Sequence, residues 1–549
     1  MLDFVPNHVA VDHPWALEQP ELLVTCAVGE GSEPPQGVEI GGVLIANGAE
    51  RAASSGAWGD TLQLDYSKAA TSAAMSTIVA GIAHRGLADA LRCDMAHLAL
   101  SATFESGWGH IKRTSPSDKT TGGAGQNEPP LTGVPPREFW SAAIAAAQSV
   151  DPGFVFLAES YGAGSAWALQ QLGFHFTYDD SFYHKSRGAS AVPLAAQGGA
   201  YTVQAAAAAP GQCVWPLAAR SGMQPQGNSK ALAEHMSGSA VFHTRCCRYI
   251  ENHDEPRAAA AYALPVPAVA ACAKSDDSTW RDACAAALAS EQARHFAAAV
   301  LLMFSPGARL LHDGQLSGRR QHHSMHIEAR PSEGAAPWCV ADGLNASQEA
   351  EVAWPHHGIS AFYSRLLALG SCGAANDGLW APVPVRMTAD KQDSPLIALA
   401  RVPCTASAAD VQISGACVIV VVNMSYQAAS GVLDLGAVGT GSEGGSEEAV
   451  VGGALSQLER APKGVLTFED AWSGKYYRRS AGSIFSAEGG GLSAHLPAWG
   501  FHVFRLTTPS MGHAGALTCA AAPTGLSQAW QGVLLAVADT SPPAAAWRL

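Results

Sequence analysis

The sequence predicts an α/β fold built on a parallel sheet, followed by an antiparallel β region, and three observations carry that reading. Apolar runs of strand length alternate with helical patterns across the first two-thirds of the 549 residues. Strands apolar on both faces and separated by helices belong to parallel sheets, either doubly wound or closed as an eight-stranded barrel. Ionisable residues gather at the C-terminal ends of several different strands, which favours the barrel, because that fold builds its site there.

Taken in order, Met1–Val5 reads as the first strand, Ala69–His84 as a helix and Leu91–Asp94 as a short strand. Arg137–Val150 is a helix with Phe139, Trp140 and Ile144 on one face. The run "FVFLAE" (Phe154–Glu159) is a fully apolar strand ending on an acid; "GFHFTY" (Gly173–Tyr178) and "CCRYIENHD" (Cys246–Asp254) follow. "HFAAAVLLMF" is a helix stopped by Ser305-Pro306-Gly307, "ARLLHDG" (Ala308–Gly314) the next strand, and Phe362–Leu369 a closing helix. From about Arg401 to Leu506 the pattern changes. There "ACVIVVVNMSY" and "LPAWGFHVFRL" are strands bounded by Gly and Asn turns, as in an antiparallel β domain. Tracts at Lys112–Pro136, about Gly188–Gly211, Leu264–Ser278 and Gly439–Glu448 are rich in Gly, Ala, Ser, Pro or Thr and read as surface loops or disordered insertions. The Ala/Pro/Ser-rich tail beyond Thr507 is expected to be ordered only in part.

Composition narrows the function. Formal charge is −14 with 15% charged residues, and no basic stripe is present to neutralise phosphates, so nucleic acid is not an expected partner. No apolar run reaches membrane-spanning length. The 12 cysteines are scattered without CxxC pairs, which fits buried thiols in a reducing compartment, cytoplasm or plastid.

Four stretches place acids at strand ends: "LDFVPNH" (Asp3, His8), "LRCDMA" (Arg92, Asp94), "FLAES" (Glu159) and "ENHDEPR" (His253, Asp254). An Asp after a strand commonly caps the next helix, so one such stretch decides nothing. Four in order, on separate strands, do. In this order they resemble the conserved regions of glycoside hydrolase family 13, the α-amylase family. "HPW", "WGDTLQLDY", "REFW", "LQQLGFHFTYDD", "HDGQLSGRR" and "LPAWGFHVF" are similar to its bacterial-type α-amylase branch, up to about Leu506.

The resemblance implies a (β/α)8 barrel, here lacking its first two strands because relatives carry two more before the first motif. It implies a catalytic barrel over 1–390, a C-terminal β-sandwich over 391–507 and a tail over 508–549. The tail stretch "QGVLLAVADT" could bring a strand to the gap. The implied activity is retaining hydrolysis of α-glucans, with Asp94 as nucleophile, Glu159 as acid/base and Asp254 binding sugar hydroxyls. Arg92 would hold Asp94 ionised, and His8 and His253 would hydrogen-bond the sugar. Retention needs two carboxyls about 5–5.5 Å apart with acidities pushed in opposite directions. Charge from Arg92 should lower Asp94, while desolvation after "FVFLA" should raise Glu159.

The chemistry needs no cofactor. A structural calcium is the one ion the resemblance leaves room for, and Asn7 aligns with a frequent ligand, although a turn asparagine explains it equally well. His322, His323 and His326 in "RRQHHSMH" have metal-pair spacing but no partnering acids, and read as exposed loop. Trp58, Trp108 and Trp140 could stack on sugar; Trp140, on an amphipathic face, reads as core. The stretch "AERAASSGA" before Trp58, and Gly162 after "AESY", depart from the family's aromatic-rich pattern. Two other readings remain: an impaired or non-catalytic amylase-like protein, and a transglycosylase that shares the first half-reaction.

Overall fold

The computed structural model describes residues 1–26, 36–48, 59–109, 111, 138–189, 229–261, 292–320, 356–371, 373–387, 394–403, 417–425, 427–440, 442, 446–460, 464–486, 490–507 and 534–537. The chain forms two compact units, Met1–Asp180 with Arg245–Cys247, and Ser181–Thr244 with Arg248–Leu549. The tracts at 112–136, 190–211 and 264–278 lie outside the described residues, as do Trp58, His322, His323 and His326.

The first unit is a parallel sheet whose strands stand side by side in chain order: β1 (Leu2–Phe4), β2 (Ala90–Cys93), β3 (Val155–Ala158), β4 (Phe176–Tyr178) and the first residues of β5 (Cys246–Arg248). All four residues of β2 and all four of β3 are buried, as strands covered on both faces must be. Helices α1 (Ala69–His84) and α2 (Phe139–Val150) fall where the apolar spacing puts them and pack on one another. Met75, Val79 and Ala83 recur at intervals of four on the buried face of α1. In α2, Trp140 is fully buried and its indole N–H donates to the Ala96 carbonyl at 2.9 Å, which satisfies the ring's one polar atom. Trp108 is buried too, so neither indole offers a sugar-stacking face.

Between β1 and β2 the chain makes small antiparallel ladders absent from the sequence reading. His8–Ala10 pairs with Thr61–Gln63, and Val43–Ala46 pairs with both Thr25–Cys26 and Gly37–Ile40. Strands of two to four residues are too short to display a period.

In the second unit, the helix over 292–304 leads into β6 (Ala308–His312). Three buried arginines gather around the end of that helix. Arg401 donates to the carbonyls of Phe304, Ser305, Ala374, Asn376 and Gly378 at 2.9–3.3 Å. Arg309 reaches the Ser305 and Ala375 carbonyls, and Arg248 reaches that of Pro306. Cations there meet the negative end of the helix dipole. Burial, with the charges of Arg401 and Arg248, pulls the Arg309 guanidinium down to about 9. The tail strand Leu534–Val537 pairs in parallel with β6, Arg309 opposite Leu534.

In the second unit, antiparallel pairing among the described residues begins at Leu379. Six strands run in the order Leu379–Val383, Leu396–Val402, Cys417–Asn423, Phe501–Thr507, Val465–Asp470, Lys475–Ser480. Leu396–Val402 and Cys417–Asn423 are buried throughout. Alternate residues explain why. Ile397, Leu399, Val418 and Val420 pack with the apolar side chains of 297–304, while Leu396, Ala398, Ile419 and Val421 pack toward a second, three-stranded sheet and the helix Glu447–Ser456. That helix grows out of the Gly-rich tract, its first turn capped by Ser446, whose hydroxyl accepts from the Ala449 N–H at 3.2 Å.

Candidate active site

Strand register brings the first site residues together. Cys93 stands opposite Ala158, and the ladder continues one step further: the Asp94 N–H donates to the Phe4 carbonyl at 2.8 Å and the Glu159 N–H to the Cys93 carbonyl at 2.9 Å. Asp94 and Glu159 therefore leave neighbouring strand ends at the same level. Arg92, two residues before Asp94, shares its face, and Asp3 lies opposite Arg92 on β1.

The guanidinium of Arg92 binds three carboxylates. Its Nη1 donates to Asp3 Oδ1 at 2.8 Å and to Asp94 Oδ1 at 2.7 Å, and its Nη2 forms an ion pair with Glu159 Oε2 at 2.9 Å. Burial works against the charge on Arg92, yet Tyr178, Glu159, Asp3 and Asp94 together hold its pKa above the usual arginine range. The Tyr178 ring lies 5.8 Å from the guanidinium carbon; burial raises its hydroxyl pKa.

Glu159 is 2% exposed. Besides Arg92, its Oε2 accepts the Met95 N–H at 2.8 Å and its Oε1 accepts the Tyr161 hydroxyl at 2.8 Å. Met95 reaches it from a left-handed conformation, φ +42°, uncommon for a residue with a side chain. The Asp94 carboxyl is raised, first by burial and then by the charge of Glu159 and a hydrogen bond to it; Arg92 offsets only part. Arg92 does lower Asp94, as its charge predicts, but burial and Glu159 outweigh it. The sequence shows the cation next door but not that three acids share it.

His8 sits near this cluster. Burial lowers its imidazole, while Asp94 and Asp60 pull the other way. Asn7, the calcium candidate, is buried and turns both oxygens to protein donors: Gln63 Nε2 donates to its carbonyl at 2.8 Å and to its Oδ1 at 3.3 Å.

His253 and Asp254 belong to the second unit. Asp254 keeps a side chain 48% exposed, with His253 Nε2 3.3 Å from its Oδ2. The loop that presents it is rigidly tied. Asn252 Oδ1 accepts the N–H groups of Asp254 and Glu255 at 3.0 and 2.8 Å. Buried Glu251 accepts from Arg257 at 2.9 Å and from the Ala258 N–H at 2.7 Å, and Arg257 also reaches His312 Nδ1 at 2.6 Å. An open carboxylate on a fixed loop suits a group that binds hydroxyls.

Sequence reasoning passed over Tyr161, Glu251 and Arg257. Tyr161 was legible in part, being two residues beyond Glu159. Glu251 and Arg257 lie within "ENHDEPR", where nothing in residue type separates a buried ion pair from an exposed one.

No family model matches the chain, and no curated protein matches it. Solved structures do. The chain is similar to an α-amylase from Geobacillus thermoleovorans complexed with acarbose (11% identity, 93% of this chain and 77% of that one, TM-score 0.45). It is also similar to an α-amylase from H. orenii (12%, 91% and 79%, 0.45) and to a debranching enzyme from Nostoc punctiforme (13%, 92% and 75%, 0.45).

Proposed function

We propose that this chain is a glycoside hydrolase of the α-amylase family that cleaves α-glucans with retention. The observation that carries the proposal is the convergence of Asp94 and Glu159, from adjacent parallel strand ends, on one buried arginine. The four ordered motifs supply the class of substrate.

In the first half-reaction, Asp94 attacks the anomeric carbon and forms a C–O bond to the sugar. The glycosidic C–O bond breaks, and the leaving oxygen takes the proton of Glu159. In the second, Glu159 removes a proton from water, the water oxygen bonds to the anomeric carbon, and Asp94 departs as carboxylate. Arg92 holds Asp94 aimed and offsets its charge, while His8, His253 and Asp254 bind sugar hydroxyls. Contacts that tighten in the transition state raise turnover. The chemistry proposed needs no cofactor.

A fluorinated α-glucosyl fluoride that accumulates the glycosyl enzyme tests the reading. The sugar's mass should appear on the peptide containing Asp94, and Asp94→Asn should lose both the label and starch hydrolysis. Unchanged hydrolysis in that variant would refute the assignment. Product analysis on maltotriose separates hydrolysis from transfer, because longer oligomers mean that a sugar, not water, intercepts the intermediate.

One observation favours a second reading, a catalytically impaired amylase-like protein. The nucleophile's carboxyl is raised and hydrogen-bonded to its partner, a pairing in which Asp94 is not free to attack. Measurable turnover by the full chain would dismiss it.

A further inference from the structure

We infer that Met95 is a positioning residue whose left-handed backbone turns two successive N–H groups onto Glu159 and so fixes the acid/base relative to Asp94, one residue earlier. The inference deepens the acid/base reading of Glu159 above and rests on it.

The ladder between β2 and β3 shows what Met95 does. The Glu159 N–H donates to the Cys93 carbonyl at 2.9 Å. If the parallel pairing simply continued, the Met95 N–H would bond the Glu159 carbonyl in return. Ala96 takes that carbonyl instead, at 2.9 Å. Met95 is therefore an extra residue in the ladder, held at φ +42° and ψ +39°. Its N–H is released from the ladder and donates to the Glu159 carboxylate, Oε2 at 2.8 Å. One inserted residue re-aims a donor, as bulges beside active sites do, and two successive N–H groups then face one residue, a concavity suited to negative charge.

The bulge is anchored on its far side. The Met95 carbonyl accepts the Leu98 N–H at 2.9 Å, and the Ala96 carbonyl accepts the indole N–H of fully buried Trp140 at 2.9 Å. The other partners of the Glu159 carboxyl are side chains: Arg92, Tyr161, and Asp94, which hydrogen-bonds it. Each of those can rotate. The Met95 N–H belongs to the peptide that leaves Asp94 and moves only if the main chain does. The spacing of the two reacting carboxyls is thus set by backbone, and it depends on a conformation that is strained for a residue with a side chain.

Two arms test this on the full chain. In the first, backbone preference should order the variants at position 95. Glycine and asparagine enter the left-handed region readily, whereas valine and isoleucine do not. On a soluble maltooligosaccharide, kcat should fall least in Met95→Gly and Met95→Asn and about ten- to hundredfold further in Met95→Val and Met95→Ile. KM should stay within about twofold, because a misplaced carboxyl slows chemistry rather than binding. Equal kcat in all four, an order that follows apolarity instead, or a loss carried by KM would overturn the inference. The second arm needs no turnover. The Met95 amide signal in 15N-methionine-labelled protein, assigned by its loss in Met95→Asn, should move upfield in Glu159→Gln, where a neutral amide replaces the carboxylate acceptor. A signal that stays in place or moves downfield overturns the inference, and this arm decides alone if the valine and isoleucine variants do not fold. Retained hydrolysis in Glu159→Gln would instead sink the acid/base reading, while the amide signal still decided whether Met95 holds that side chain.

Discussion

Two aspartates, half-buried Asp94 in one unit and buried Asp470 in the other, shift in opposite directions, and the reason separates the proposed active site from a structural turn. Among the described residues Asp94 has one cationic donor, Arg92, which it shares with Asp3 and Glu159; burial and the neighbouring acid raise it. Asp470, at the end of a strand in the antiparallel region, is surrounded by donors. The Ser473 hydroxyl lies at 2.5 Å, His502 Nδ1 at 3.0 Å and the Trp472 N–H at 3.1 Å. Burial alone would raise Asp470, but the hydrogen bonds from His502 and Ser473 outweigh it and bring it down to about 2. Burial raises both; the donors around Asp470 outweigh it, and Arg92 does not outweigh it at Asp94. A fold that sought only stability would arrange its acids like Asp470.

The comparison breaks most visibly at turnover. Asp94→Asn and Glu159→Gln should each lower kcat/KM on starch by about 10³-fold or more, within or beyond the usual worth of an acid/base or nucleophilic carboxylate. Asp470→Asn should leave kcat/KM within about twofold. A large loss in the last variant would erase the distinction.

The next effect is on stability. Arg92→Leu strips the only cation that binds Asp3, Asp94 and Glu159 among the described residues, leaving the buried Glu159 uncompensated. Destabilisation of about 3–5 kcal/mol is expected from chemical denaturation at pH 7, and it should shrink in acid as the carboxyls protonate. A loss independent of pH would mean that Arg92 matters for packing alone.

How much of this is legible in the sequence differs by region. The buried parallel strands, helices 69–84 and 139–150, and the acids at the strand ends were legible, because each has a period or a position that physics ties to its role. The sign of the Asp94 shift was not. It depends first on the burial of Asp94 and then on Glu159, which a different strand brings beside it. The ladders between β1 and β2 were hidden by their brevity, and the Asp470 cluster by its assembly across 32 residues between Asp470 and His502. Local pattern shows which residue is chemically able; only long-range register shows what its neighbours do to it.

A smaller test concerns Asp470 itself. Its folded pKa lies below the unfolded value, so its contribution is present above about pH 4 and is lost as pH falls toward about 2. Asp470→Asn should cost about 1–2 kcal/mol at pH 6 and almost nothing at pH 2. Equal costs at both values would show that shape, not charge, holds that turn together.

The smallest effect has the opposite sign. The folded pKa of Asp94 is raised, so the folded state binds the proton more tightly than the unfolded chain does. Stability is then greatest below the unfolded pKa and falls as pH rises through the folded pKa. Asp94→Asn resembles the protonated acid at every pH, and it should therefore gain a few tenths to about 1 kcal/mol over the parent at pH 7, the two converging below about pH 3. The same substitution that abolishes turnover would thus leave the protein no less stable, the mark of a residue kept for chemistry. A destabilised Asn variant at neutral pH would mean that the Arg92–Asp94 pair holds the fold, and the contrast with Asp470 would collapse.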